Sequence, residues 1–293
     1  MPELPEVETI RRQLAPIVED RVLEDFEILD PRWSRPHTPG ELEDALRGRR
    51  VRQLGRRGKY LLWSFDDGLH LAQHLRMTGT ILVNPEPEPT HTRVRMRLPR
   101  PGGRGAGDRV IISDPRRFGT GELLVGDEAL DAFLSARLGL EPFDDGFTAA
   151  HLQGLVRGSR APIKALLLDQ RRIAGVGNIY ADEALFRAMI HPLRAAGALR
   201  GAQFERLRTG LVDALAAGVE ARGASIDDFR HVDGVRGSFQ DQFLVHLREG
   251  EPCTVCGTPI VKMRVAGRGT YVCETCQPRP RVRSRAGTSA RRS

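Results

Sequence analysis

Cys253-Thr254-Val255-Cys256 and, sixteen residues further on, Cys273-Glu274-Thr275-Cys276 hold all four cysteines of the chain. Two Cys-x2-Cys pairs at this separation have the spacing of a zinc ribbon, in which four thiolates close a tetrahedral site and leave no position open to substrate. Disulfide pairing is the rival reading, and it does not suit a cytosolic chain. Gly257 fits a knuckle turn, and Ile260 to Ala266 with Thr270 to Val272 read as the two strands of a hairpin. The expected cofactor is therefore one structural zinc ion. Its loss should unfold the unit, because such ions contribute about 10–16 kcal/mol of apparent binding energy to folding. The hairpin tip carries Lys262, Arg264 and Arg268, and an arginine on a rigid tip is suited to gripping phosphate.

Upstream of this unit the pattern changes twice. Gly201 to Arg222, Asn178 to Met189 and Ala161 to Asp169 read as helices, with Ile226 to Phe229 a further short piece, and the composition is helical from about Glu141 onward. Between Val22 and Val125 the apolar runs are short and broken by Gly and Pro: Val22 to Leu29, Tyr60 to Phe65, Leu69 to His74, Thr80 to Val83, Val94 to Leu98, Val110 to Ser113, Gly121 to Leu124. Many short strands with turn signals between them predict a β-sandwich or barrel. Val7, Ile10, Leu14 and Ile17 at helical spacing predict a leading helix over residues 5–18. At 293 residues the chain can hold two domains or more, and it has neither an apolar run long enough for a membrane span nor an export signal, which leaves the cytoplasm.

The net charge of +7 points to an acidic partner, but its distribution weakens the signal. Residues 279–293 hold six arginines and no acid, so the preceding 278 residues carry only +1. Locally, Arg47, Arg49, Arg50, Arg52, Arg56, Arg57 and Lys59 fall within thirteen residues without a carboxylate. This run reads either as a solvated strand face or as a phosphate-binding patch.

Three constellations carry possible chemistry. The chain opens Met1-Pro2-Glu3-Leu4-Pro5-Glu6-Val7-Glu8. Proline is small enough at position 2 for Met1 to be removed, and a terminal amine with a reference pKa near ~8 is then partly unprotonated at neutral pH. Such an amine can attack an electrophilic carbon, with Glu3 beside it to relay protons. Taken alone, the same residues are also an ordinary helix start. Gly175-Val176-Gly177-Asn178 leads into a helix whose free N–H groups could bind an anion, with Lys164 nearby, or Asn178 could be only the cap. His74-Leu75-Arg76-Met77-Thr78-Gly79 and Asp114-Pro115-Arg116-Arg117-Phe118-Gly119 place Met, Arg and Phe next to glycine. They are either core residues or an exposed wedge able to fill the space left by an extruded base.

With Pro2-Glu3, Gly58-Lys59-Tyr60-Leu61-Leu62, Asp114 to Gly119, Gly175 to Ala181 and the four cysteines together, the chain resembles the bacterial formamidopyrimidine-DNA glycosylases from Pro2 to Cys276. The resemblance implies an α+β fold: an N-terminal β-sandwich with a leading helix (1–140), a helix-two-turn-helix domain (141–245), a zinc-ribbon finger (246–278) and a basic, disordered tail (279–293). It implies a monomeric base-excision-repair enzyme, nucleoid-associated during repair, that acts on double-stranded DNA carrying an oxidised purine such as 8-oxoguanine or a formamidopyrimidine. Pro2 would attack the sugar C1′, Glu3 would assist ring opening, and β,δ-elimination through the Schiff base would cut the strand with no catalytic metal. Among the residues it implies, Lys59 lies near the damaged nucleotide. Asn178, Arg268 and Lys164 contact phosphates, His91 and Arg117 contact DNA, and Met77, Arg116 and Phe118 fill the void. Arg76 departs from the family's usual small residue, and the tail is longer than usual. Asp233 to Gln242, Gly-rich and flexible in composition, matches the loop that covers the everted base. Two alternatives stay open, an endonuclease-eight-like glycosylase for oxidised pyrimidines and a non-catalytic zinc-ribbon DNA-binding protein.

Overall fold

The computed structural model describes residues 1–99, 107–226 and 232–280. Pro5 and Glu6 in the first turn start helix α1 (Leu4–Val18), since proline needs no donor there and an acid favours the positive end of the helix dipole. Its apolar face divides between two cores. Val7, Ile10, Leu14 and Val18 are buried in the core of a β-sandwich, whereas Leu4 is buried in a helical core. Each buried side chain of this size contributes about 1.5–3 kcal/mol. The N-terminus is therefore anchored at the junction of the two bodies.

The sandwich has two four-stranded antiparallel sheets. One is ordered β1 (Asp25–Ile28), β6 (Thr92–Leu98), β7 (Asp108–Ser113), β5 (Thr80–Val83). The other is ordered β2 (Val51–Arg57), β3 (Tyr60–Phe65), β4 (Leu69–His74), β8 (Thr120–Val125). Strand β3 shows why the fold closes: Leu61, Trp63 and Phe65 alternate inward, as the two-residue repeat of a strand requires. Two helices, α2 (Pro39–Leu46) and α3 (Asp127–Ser135), flank the sheets.

The helical body comprises α4 (Ala149–Val156), α5 (Ile163–Leu167), α6 (Asn178–Arg187) and α7 (Ala202–Glu220). Ile179 through Phe186 of α6 are all buried, Asp182 and Glu183 included. Glu183 resolves its charge by accepting the backbone N–H groups of Leu244, Val245 and His246, each at 3.0 Å. That contact leads the chain into the antiparallel hairpin of β9 (Val261–Val265) and β10 (Arg268–Val272). Val245, Ile260, Tyr271 and Cys273 close a small third core against Phe186. Among the described residues, no helix is long and apolar enough to cross a membrane.

Several expectations from the sequence need correction. Helices α5, α6 and α7 are shorter than read, by one or two residues at most ends, and α1 starts one residue earlier. Helices α2, α3 and α4 were not anticipated, and β2 was read only as one possibility for the Arg-rich run. Within that run each arginine is engaged on the protein itself: Arg47 with Asp25 and Asp44, Arg49 with Asp67, Arg50 with the Asp20 carbonyl, Arg52 with Asp66, Arg56 with Glu8 and Glu141, and Arg57 with Glu141 and Asp144. The arginines of the run thus form a strand face held by the protein's own acceptors, whereas Lys59 at its end lines the cleft described below. Asp233 to Gln242 is only partly loop-like. Phe239 is buried and stacks on Tyr180 at 5.1 Å, and Gly237 N–H donates to Ser225 Oγ at 2.8 Å. The expected short helix after Ile226 and the basic tail beyond Pro280 lie outside the described residues.

Candidate active site and nucleic-acid interface

Where α1, the β2–β3 turn, the start of α6 and the hairpin tip converge, a cavity of about 360 Å³ opens. Pro2, Glu3, Lys59, Met77, Asn178 and Arg268 line it. Six residues singled out from the sequence, separated by up to 266 positions, are thus brought to one place.

The floor is built by the glycine motif. Leu4 N–H donates to the Gly175 carbonyl at 3.1 Å, and Ile179 N–H, at the first turn of α6, donates to Glu3 Oε1 at 3.1 Å. Gly177 makes that contact possible, because a Cβ there would lie 2.2 Å from the Glu3 carboxyl carbon. The anion at this helix start is the protein's own Glu3. Glu3 Oε2 is buried and has no hydrogen-bond partner among the described residues. An unpaired carboxylate oxygen next to Pro2 is positioned to exchange protons with it.

Glu6 lies beneath. It accepts from Glu3 N–H (2.8 Å), Tyr180 Oη–H (2.7 Å) and Ala224 N–H (2.8 Å). Burial, reinforced by the charge of Glu3, pushes its pKa up, and the three hydrogen bonds oppose the rise. The Lys59 side chain, only 4 % exposed, has no hydrogen-bond partner among the described residues. Burial lowers its pKa, while Glu3 and Glu6 work against that fall. His74 is held neutral: burial, with Arg76 and Lys59 adding to it, lowers its pKa to about 3. Its Nδ1 accepts from Arg76 N–H at 2.9 Å, which leaves the ring proton on Nε2.

The phosphate-contact expectation for Lys164 is corrected. Lys164 is fully buried, and its ammonium spends three donors on Asp182 Oδ1 (2.7 Å), Thr270 Oγ1 (2.8 Å) and the Gly269 carbonyl (3.1 Å). Asp182 in turn accepts from Tyr271 N–H (3.4 Å) and sits 2.9 Å from His246 Nδ1. Lys164 pins the hairpin tip to α6. Asn178 adds to that junction by donating to the Gly269 carbonyl at 3.0 Å, leaving its Oδ1 unpaired, and the guanidinium of Arg268 stands exposed with no partner among the described residues.

The four cysteine sulfurs lie within 4.8 Å of one another, with Cys253–Cys276 at 3.9 Å and Cys256–Cys273 at 3.4 Å. A tetrahedral ion with bonds of about 2.3 Å needs sulfur separations near ~3.8 Å, so the four thiols fit zinc.

A second group stands at the rim. Asp114 accepts from Arg116 N–H (3.1 Å), Phe118 N–H (2.8 Å), Gly119 N–H (2.7 Å) and Thr78 Oγ–H (2.5 Å). One carboxylate thereby locks the loop carrying Met77 to the loop carrying Arg116 and Phe118. Phe118 is 49 % exposed with the Arg116 guanidinium 4.8 Å from its ring centre. His91 is exposed beside this loop and accepts Asp114 N–H at its carbonyl, while Arg117 reaches Asp30 at 3.8 Å. Arg116, Phe118, His91, Arg117 and Lys164 do not line the cavity.

Sequence reasoning did not single out Glu6, His74, Gln170, Asp182 or His246 as site residues. Gln170 braces the glycine loop, accepting from Gly175 N–H at 3.0 Å and donating to the Val176 carbonyl at 2.7 Å. Glu6 does carry a local signal, as third residue of the capping box that starts α1, whereas Asp182 and His246 take their roles from contacts across the chain.

Lys59, Arg76 and Arg268 wall the cleft, with the Arg116–Phe118 pair on the loop locked to that of Met77 and the four-cysteine hairpin nearby. Three family models match: the formamidopyrimidine-DNA glycosylase N-terminal domain over residues 1–121, the formamidopyrimidine-DNA glycosylase H2TH domain over 138–230, and the zinc finger found in FPG and IleRS over 250–279. The formamidopyrimidine-DNA glycosylase of Desulfitobacterium hafniense is 41 % identical over 94 % of this chain and 100 % of its own length. That of Thermus thermophilus is 43 % identical over 94 % of this chain and 98 % of its own. Among solved structures, Lactococcus lactis Fpg in complex with DNA containing an abasic site superposes with a TM-score of 0.86 at 34 % identity, covering 94 % of this chain and 100 % of that one. Thermus thermophilus MutM (Fpg) gives a TM-score of 0.83 at 41 % identity, covering 94 % and 98 %. The chain belongs to the formamidopyrimidine-DNA glycosylase family, and its four cysteines form a zinc site.

Proposed function

We propose that the chain is a base-excision glycosylase and abasic-site lyase that removes oxidised purines, 8-oxoguanine and formamidopyrimidines, from duplex DNA. The observation that carries this reading is the Glu3 carboxylate. One oxygen is held by Ile179 N–H and the other is unpaired beside Pro2 in the cleft. Once Met1 is removed, Pro2 is a secondary amine next to a proton relay. Its lone pair forms the bond to C1′ and the base leaves with the electrons of its glycosidic bond. Glu3 takes the N–H proton of the now-bonded amine and delivers it to the ring oxygen as the C1′–O4′ bond opens, and the nitrogen lone pair closes the iminium. Loss of a C2′ proton then expels the 3′ phosphate, a second elimination expels the 5′ phosphate, and water releases the amine.

The remaining residues serve extrusion and grip. In this reading Arg268 and Asn178 hold the phosphates of the damaged strand and Lys59 lies near the damaged nucleotide, with His91 and Arg117 as outlying contacts. Met77, Arg116 and Phe118 occupy the vacated stack, which offsets the few kcal/mol that flipping costs. The protein acts as a monomer on duplex DNA, in the cytoplasm at the nucleoid, as suits its bacterial relatives.

The test compares duplexes with 8-oxoguanine opposite cytosine, an oxidised pyrimidine, or no lesion. The pyrimidine arm matters because Lactococcus lactis Fpg has been solved with oxidised-pyrimidine DNA. Strand cleavage with a β,δ-elimination product chiefly on the purine lesion is the expected result. Preference for the pyrimidine, or binding without cleavage, overturns the assignment.

A further inference from the structure

His246 is buried except where it lines the cavity that also holds Pro2, Glu3 and Lys59. Its Nδ1 lies 2.9 Å from Asp182 Oδ2, and the other oxygen of that carboxylate takes the Lys164 ammonium at 2.7 Å. A carboxylate only accepts, so Nδ1 carries the hydrogen, and in the neutral ring Nε2 is left with a free lone pair. Nε2 has no partner among the described residues, yet it is not sealed as the Nε2 atoms of His151 and His191 are. With fully buried Asp182 behind Nδ1, the free edge of the ring is the one that meets the cavity. Phe243 and Tyr271 hold the ring edge to face, with centroids at 5.4 and 5.0 Å, and His246 N–H is tied to Glu183 at 3.0 Å. Both the tautomer and the direction of the ring are set before any substrate arrives.

The neighbouring groups leave the part of a second base open. Glu3 Oε1 is taken by Ile179 N–H, and Oε2 serves the exchange between Pro2 and the sugar ring oxygen. Glu6 accepts three donors. His74 spends its lone pair on Arg76 N–H and presents a proton instead.

We infer that His246 is the general base of the strand-cleaving step, taking the C2′ proton of the Pro2-bound sugar at Nε2, with Asp182 as its positioning residue. The inference rests on the function proposed above and names the acceptor for a proton that the reaction must lose. As Nε2 binds that proton, the C2′–H electron pair becomes the C1′–C2′ π bond and the iminium π pair becomes the nitrogen lone pair. When the lone pair returns, the C2′–C3′ π bond forms and the C3′–O bond breaks onto the 3′ phosphate, and the imidazolium gives its proton to water in the cleft. The groups that face the ring are Asp182 and Glu183 of α6, Tyr271 of β10 and, through Asp182, Lys164 of α5. Across the cavity stand Glu3 and Glu6 of α1 and the cations Lys59, Arg76 and Arg268.

The test uses a duplex with a preformed abasic site, so that base excision plays no part. Borohydride traps the sugar on the protein both before and after strand cleavage, and a gel separates the two adducts by the length of DNA they carry. The wild type should give chiefly cut adduct. His246→Gln keeps an amide donor for Asp182 but has no basic nitrogen. It should form total adduct at the wild-type level with the ratio of cut to uncut lowered by about 100-fold, the lower end of general-base catalysis. In the wild type that ratio should fall as pH drops from about 8 to about 5, the interval in which imidazoles gain their proton, and in His246→Gln the fall should vanish. An unchanged ratio in His246→Gln, or a loss seen only in Lys59→Met, overturns the inference. Should His246→Gln form no adduct, the wild type decides: a ratio that falls with pH supports the inference, and one independent of pH overturns it. A wild type that forms neither adduct overturns instead the underlying function.

Discussion

Lys164 separates two accounts of the hairpin tip. Replacing it with methionine keeps most of the volume but removes the ammonium from Asp182, Thr270 and Gly269. Asp182 is fully buried and is left with Tyr271 N–H at 3.4 Å and His246 at 2.9 Å. Breaking a buried ion pair from one side costs about 3–5 kcal/mol, because the remaining charge is uncompensated. That is a large part of a total stability of about 5–15 kcal/mol. Urea denaturation followed by circular dichroism reads the loss. Lys164→Met should lose about 3–5 kcal/mol, and the double variant Lys164→Met/Asp182→Asn should recover more than half, since no unpaired charge remains. The salt dependence of DNA binding should keep its slope, because the Lys164 ammonium already donates to three acceptors within the protein. A Lys164→Met protein of wild-type stability whose slope falls by about 0.9 would instead make Lys164 a direct phosphate contact and refute the buried-pin reading.

Other consequences can be measured separately. Chelating the zinc should unfold residues around the hairpin, seen as loss of hydrogen-exchange protection there, and abolish specific binding through Arg268; retained binding contradicts the proposed grip. Gly177→Ala places a Cβ 2.2 Å from the Glu3 carboxyl carbon, so cleavage should drop by about 100-fold while the unfolding midpoint moves little. His74 has a folded pKa of about 3 against 6.5 unfolded, so its stabilising contribution is complete above pH 6.5 and is lost as pH falls toward 3. Over that window the wild type should lose up to about 1.4 kcal/mol per pH unit more than His74→Gln, and parallel pH–stability curves would contradict the assignment.

Legibility in the sequence followed the range of the interaction. The zinc hairpin, the strands β3 and β4 and the long helix α7 were readable because each is set by local spacing: cysteine pairs, two-residue alternation, a 3.6-residue apolar stripe. Helix α2 carried a readable signal, Thr38 capping Glu41 with Pro39 at its start, but the surrounding strands masked it. The family motifs pointed to the residues at the cleft, yet not to what they touch. Lys164 and Asp182 are 18 positions apart and close against Thr270, a contact no spacing rule contains. The glycine motif read either as a seat for an external anion or as a helix start capped by Asn178, whereas Glu3, 176 positions from Ile179, occupies it and the cap position is Gly177. The arginine run likewise finds acids as distant as Glu141. Charge clusters in a sequence reveal nothing of their partners until the chain is folded.

The central claim is that the N-terminal proline is the nucleophile. The most direct measurement is borohydride reduction of the reaction with an 8-oxoguanine duplex, followed by proteolysis and mass spectrometry of the trapped adduct. The account predicts the sugar remnant on the peptide that begins at Pro2, with Lys59 unmodified and with trapping lost in Pro2→Thr. An adduct on Lys59, or undiminished trapping by Pro2→Thr, would contradict it.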